Sequence, residues 1–64
     1  MERYLVIYSP EEPSEKLKEF EYLTFEARPL FIRDGEMLYY PVDNELGWRM
    51  GWEYIPQSDL EFIP

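Results

Sequence analysis

Gly47 to Ile63, GWRMGWEYIPQSDLEFI, constrains the fold more than any other stretch of this chain. Trp48, Met50, Trp52 and Tyr54 fall on one parity, and Arg49, Gly51, Glu53 and Ile55 on the other. Period two is the pattern of a half-buried strand, whose alternate side chains leave opposite faces. The spacing predicts an extended segment over 48–55, with its four large side chains in a core or on a binding face. Gly51 in the middle permits a bulge. Pro56 has no N–H to donate and ends the ladder. Gln57, Ser58 and Asp59 are turn formers, which predicts one tight helical turn. Leu60 to Ile63 reads as a short closing strand.

The clearest local signal is Asp34-Gly35 between two apolar runs, the pair favoured in two-residue type I′ hairpins. That turn sets a register. Arg33 faces Glu36 as a surface ion pair, Ile32 faces Met37, Phe31 faces Leu38, and Leu30 faces Tyr39. Leu30, Ile32, Met37 and Tyr39 then share the face assigned to the core. Phe31, Leu38 and Tyr40 lie on the other face, which is apolar enough to need covering by another layer, by residues 9–20 or by a partner. Pro41 ends the pairing or sits on an edge.

Upstream, Tyr4–Tyr8 (YLVIY) reads as a central strand or one buried on both faces. Glu21–Ala27 alternates, with Leu23, Phe25 and Ala27 on one side, and Arg28-Pro29 interrupts it. Residues 9–20 read as an acidic excursion, a loop or a short helix. Ser9-Pro10-Glu11-Glu12 carries a capping-box pattern, but Pro13 argues against a long helix and Ser14 is an alternative cap. Leu17 and Phe20 fall on one face at spacing three. Asp43 to Gly47 reads as a polar turn.

A chain of 64 residues makes one domain, 1–64, and buries only about 60% of its unfolded surface. It has no cysteine or histidine, which excludes disulfides and the usual zinc ligands. Stability therefore rests on the core, and an aromatic content of 19% supplies large buried areas. No apolar run approaches the roughly 20 residues that span a bilayer, and no signal peptide is visible, so a cytoplasmic protein is expected. Fourteen acidic against six basic residues give a net charge of −8. Direct nucleic-acid binding and anionic membranes are disfavoured, since both need a basic footprint. A protein partner with a basic surface is favoured, as is simple solubility.

The order of these parts resembles a Src-homology-3-type small barrel. In that family a YDY-like strand leads into a long acidic loop and a short L-x-F segment. A three-stranded meander follows, then an end like G-Y-I-P-S-N-Y-V with one tight helical turn and a last strand. Here Tyr4–Tyr8, residues 9–21, Leu23-Thr24-Phe25, Leu30–Arg33, Met37–Val42 and Trp52–Ile63 take those places. The resemblance implies a proline-rich peptide groove at which only Tyr8 and Pro56 match. Glu36-Met37 stands where the groove tryptophan would be, and Asp59 where its tyrosine would be. The expected fold is mostly β: a five- to six-stranded barrel of this kind or a strongly bent antiparallel sheet.

Catalysis is not expected. The commonest bases and thiol nucleophiles are absent. The carboxylate pairs Asp34/Glu36 and Asp59/Glu61 lack the cleft that glycosidase chemistry needs. Asp43-Asn44-Glu45 is too short for a calcium loop, and no phosphate-cradling glycine pattern occurs. No cofactor or metal is implied.

Two binding readings remain. Residues 11–26 and 41–64 each carry net charge −4, and the rest of the chain is neutral. Separated carboxylates on a small rigid fold can imitate the phosphates of a duplex. In size, acidity and aromatic content the chain is similar to small phage-encoded inhibitors that occupy DNA-binding grooves. The candidate contacts are Glu11, Glu12, Glu15, Glu19, Glu21, Glu26, Asp59 and Glu61, each of which is otherwise a solvated surface charge. The alternative is an adaptor or subunit-contacting protein that docks, on a partner or as a homodimer, through Phe31, Leu38 and Tyr40.

Overall fold

A computed structural model describes all 64 residues. Five strands form one antiparallel sheet: β1 (Tyr4–Tyr8), β2 (Thr24–Arg33), β3 (Glu36–Pro41), β4 (Ile55–Pro56) and β5 (Leu60–Phe62). Their order is β4-β3-β2-β1-β5, and the sheet curls into a half-barrel compatible with a Src-homology-3-like fold. One helix, α1 (Asn44–Arg49), joins β3 to β4, and single 3-10 turns occupy Lys18–Phe20 and Gln57–Asp59. No helix is long and apolar enough to cross a membrane.

The β2–β3 hairpin forms as its turn chemistry predicts. Asp34 and Gly35 both adopt left-handed backbone, φ 54° and 77°, as a type I′ turn requires. Arg33, Ile32 and Phe31 pair with Glu36, Met37 and Leu38. The register then slips: Pro29, not Leu30, lies opposite Tyr39, and the shift falls between Pro29 and Phe31. Pro29 cannot donate to the ladder, and the bulge at Leu30 absorbs that defect. Arg28-Pro29 therefore bends one ten-residue strand instead of separating two.

The core contains Val6, Tyr8, Leu17, Phe20, Phe25, Ala27, Tyr39, Met50, Ile55 and Leu60, with Met37 and Leu46 packed against it. β1 is central, paired to β2 and β5, yet it buries one face only; Val6 and Tyr8 point inward and Leu5 stays exposed. Ile32 is on the core-facing side of the hairpin but is 65% exposed, because the hairpin tip projects past the core. In the 9–20 segment, no helix starts at Ser9. Ser14 Oγ instead accepts the Leu17 amide at 3.3 Å and turns the chain so that Leu17 and Phe20 enter the core.

The expected strand over 48–55 does not form, and this is the main correction to the sequence reading. Asp43 is an N-cap whose side chain accepts the Leu46 amide at 2.9 Å, so the polar turn is the first turn of α1. The helix ends in a Schellman motif: the Gly51 amide donates to Trp48 O at 3.0 Å and the Trp52 amide to Gly47 O at 2.9 Å. Gly51 and Trp52 are both left-handed, φ 70° and 52°. For a bulky residue such as Trp52 that backbone costs about 1–3 kcal/mol. Of the four alternating side chains, Met50 alone enters the core, at 2% exposure, while Trp48 is 73% exposed and Trp52 and Tyr54 are on the surface. Ile55, on the opposite parity, is fully buried.

Two substitutions separate this arrangement from an alternating strand. Met50→Ala is expected to cost about 2–5 kcal/mol, and Trp48→Ala no more than about 0.5 kcal/mol, in urea unfolding. Similar large losses at both positions would restore the strand. Gly47→Ala sets two effects against each other. Helix propensity favours alanine by about 1 kcal/mol. The added Cβ, however, would lie within 2.9 Å of three Trp52 ring carbons, and overpacking costs about 1–3 kcal/mol. Net destabilisation is expected, changing to stabilisation when Trp52→Ala is also present.

Candidate binding surfaces

Backbone hydrogen bonds tie the acidic excursion to the sheet at both ends. The Ser9 amide donates to Asp59 O at 2.8 Å, the Tyr22 amide to Tyr8 O at 2.6 Å, and the Tyr8 amide to Leu23 O at 3.0 Å. This brings Glu11, Glu21 and Asp59 around the end of β1. Burial holds the Asp59 carboxyl above its ordinary value, and Glu36 and then Glu11 raise it further. Burial likewise raises the Tyr8 hydroxyl, with Asp59 and Glu21 adding to it.

Glu36 belongs to this group, and the sequence reading missed it. It stands opposite Arg33 in the ladder, but the expected ion pair is absent. Glu36 Oε2 instead accepts the Ser58 amide at 2.8 Å, and the Ser58 hydroxyl and then that amide hold the Glu36 carboxyl below its ordinary value. A shallow open depression of about 500 Å³ lies alongside, lined in part by Asp34, Glu36, Ser58 and Leu60.

The remaining candidates are dispersed. Glu26 and Glu61 lie on the outer face of the sheet, opposite Leu5 and Ile7 of β1. Glu12, Glu15 and Glu19 are exposed along the excursion. Ion pairs are few: Arg3–Glu26 at 3.6 Å and Lys16–Glu53 at 3.0 Å. The other twelve acids have no cation within ion-pair distance.

A second surface has different chemistry. Tyr54 touches Phe31 edge-on, with centroids 5.1 Å apart, and stacks on Tyr40 at 5.0 Å and 18°. Tyr40 in turn meets Trp52 edge-on at 5.5 Å. Arg33 lies 5.5 Å over Tyr54, and Arg28 6.0 Å from the Tyr40 ring centre. Phe31 and Tyr40 share the outer face, as the alternation predicts. Leu38 is on that face too but is only 4% exposed. Leu38 lies in the ladder between Phe31 and Pro56, so at this exposure it is not available to a partner. Trp52 and Tyr54 lie against Tyr40 and Phe31 on this face.

The shifted carboxyls predict opposite pH responses. A carboxyl raised by folding favours the fold while protonated; that contribution is full below its unfolded pKa and is lost as pH rises through the folded pKa. Asp59→Asn should therefore raise the urea midpoint at pH 7 and change it little near about pH 3, below the carboxylate range. Glu36, lowered by folding, stabilises above its unfolded pKa and loses that as pH falls through the folded one. Glu36→Gln should lower the midpoint at pH 7. Unchanged midpoints at pH 7 for both variants would contradict the clustering.

The chain matches no protein-family profile, no curated protein and no solved structure, so these surfaces carry the functional argument.

Proposed function

We propose that this is a small non-enzymatic binding protein that inhibits a nucleic-acid-handling protein by occupying its basic surface, as a DNA mimic does. The observation that carries this reading is the set of twelve carboxylates without an ion-paired cation, on a chain of net charge −8. Glu11, Glu21, Glu36 and Asp59 gather at one end, where the Ser9 and Tyr22 amides tie the backbone to the Asp59 and Tyr8 carbonyls and the Ser58 amide holds the Glu36 carboxylate. Charges on an ordered frame need less rearrangement on binding than charges on a mobile tail. In the resembled barrel family that end recognises proline-rich peptides through aromatic side chains. Here the Tyr8 ring is buried, and Glu36 and Asp59 stand at the places of the groove tryptophan and tyrosine, which favours a basic ligand.

A second reading, an adaptor or subunit-contacting protein, is favoured by the exposed ring of Phe31 beside Tyr40. Without Leu38, a partner or second copy on this face would meet Tyr54 and Trp52 instead.

Displacement tests the first reading. Proteins from a lysate of the source organism are loaded on double-stranded DNA–cellulose at low salt, and the purified protein is added. It is expected to elute at least one DNA-binding protein at about 0.05 M salt, and to fail at several-fold higher ionic strength, where exposed charges are screened beyond less than ~10 Å. Glu11→Lys/Glu12→Lys/Glu15→Lys should abolish elution. Elution by that variant at the wild-type level, or none by the wild type, contradicts the reading.

A further inference from the structure

The aromatic strip is assembled by a defect in the sheet. Arg28 and Arg33 are five residues apart, so in a regular strand they would leave opposite faces. The bulge at Leu30 restores parity, and the ladder pairs Arg28–Tyr40, Phe31–Leu38 and Arg33–Glu36 then share one face. Onto this face the left-handed turn at Gly51–Trp52 delivers Trp52 and Tyr54. The result is four rings in contact, with centroid steps of 5.0 to 5.5 Å, and a guanidinium over each of the two tyrosines.

The charge of this strip is opposite to that of the molecule. Neither Arg28 nor Arg33 has a carboxylate at ion-pair distance, although acids outnumber bases fourteen to six. Glu53, between Trp52 and Tyr54 in sequence, is paired with Lys16 at 3.0 Å. Glu36, opposite Arg33 on this face, accepts the Ser58 amide at 2.8 Å instead of pairing with the guanidinium, and Asp34, next to Arg33 in the hairpin turn, likewise has no ion-paired cation. Aromatic surface with unpaired guanidinium groups suits an anionic ligand that also has apolar parts. Tyr40 and Tyr54 stack on each other and lie under the arginines, which leaves few open tyrosine faces for nucleic-acid bases.

We propose that this strip binds an extended acidic polypeptide segment, with apolar side chains on the rings and carboxylates reaching Arg28 and Arg33. With the bulge the two arginines are four rungs of the ladder apart, about 13 Å at roughly 3.3 Å per residue, which matches carboxylates four residues apart, on one face of an extended peptide. The proposal rests on the adaptor reading, gives its surface an occupant, and is independent of the carboxylate end.

The test uses the Trp48→Phe protein, in which Trp52 is the one tryptophan reporter. Three probes are titrated at low salt: a peptide of about ten residues with glutamates flanking a Leu-Pro-Leu centre, the same peptide with lysines for glutamates, and oligothymidylate. The acidic peptide is expected to change Trp52 emission saturably and to shift backbone amides within 28–33, 38–40 and 52–54. Arg28→Gln/Arg33→Gln should weaken it at least tenfold. Amide mapping on the unsubstituted arginines stands even if that variant folds poorly. The proposal is overturned if the acidic peptide gives no saturable change or maps elsewhere, if the arginine variant binds unchanged, or if the lysine peptide or oligothymidylate binds the strip as tightly. Sedimentation showing a dimer that Tyr54→Ala dissociates, with no peptide binding, overturns it while keeping the adaptor reading with a second copy as occupant.

Discussion

The contact between the Trp52 ring and Gly47 is the constraint on which the closing half of this fold depends. The chain must leave β3, reverse, and return to the sheet edge as β4 within fourteen residues. A six-residue helix is too short to be stable alone, so α1 needs help at both ends. Asp43 caps its start, and the left-handed pair Gly51–Trp52 folds the exit back over it. A side chain at residue 47 would collide with the returning indole. The strained backbone at Trp52 is held by this packing and by the two Schellman hydrogen bonds. One consequence is that Met50 and Ile55 reach the core from opposite sides of the turn. Another is that Trp52 and Tyr54 come to rest on the outer face.

That turn also shows why part of the fold could be read in advance and part could not. Asp34-Gly35 specifies its own geometry, because both residues tolerate left-handed backbone, and three hairpin pairs follow from it. β1, the turn at Gln57–Asp59 and the closing strand are equally local. The stretch 48–55 misleads because strict alternation of large residues outweighed the flanking signals. Asp43 and Gly51 bracket a helix, one as cap and one as the glycine beyond its end, and those two residues were the legible clue. The bulge at Leu30 was less legible. Pro29 announces a defect in the ladder, but whether the strand stops or slips depends on the neighbours it meets in the folded sheet.

The surfaces divide in the same way. Net charge and the positions of the carboxylates are properties of the sequence, and the expectation of an acidic exterior needs nothing more. Which acids gather is set by the tertiary fold: Asp59 and Glu36 are 23 positions apart in sequence and meet only because the 3-10 turn packs beside the hairpin. Glu12, Glu15 and Glu19, which the charge run groups with Glu11, are exposed along the excursion. The aromatic strip is hidden for the reason that hides the helix, since strict alternation puts Trp52 and Tyr54 in one stripe with Trp48 and Met50. The protein thus presents acids around the end of β1 and rings with arginines over β3, two chemistries on one small frame.

The return of Trp52 over Gly47 can be observed directly in solution by nuclear Overhauser spectroscopy. Cross-peaks are expected between the Gly47 α-protons and the Trp52 six-membered ring, with upfield ring-current shifts of those α-protons and sequential amide–amide contacts through 44–50. Strong sequential α-proton-to-amide contacts through 48–54, without any Gly47–Trp52 cross-peak, would mean an extended strand and would contradict that return.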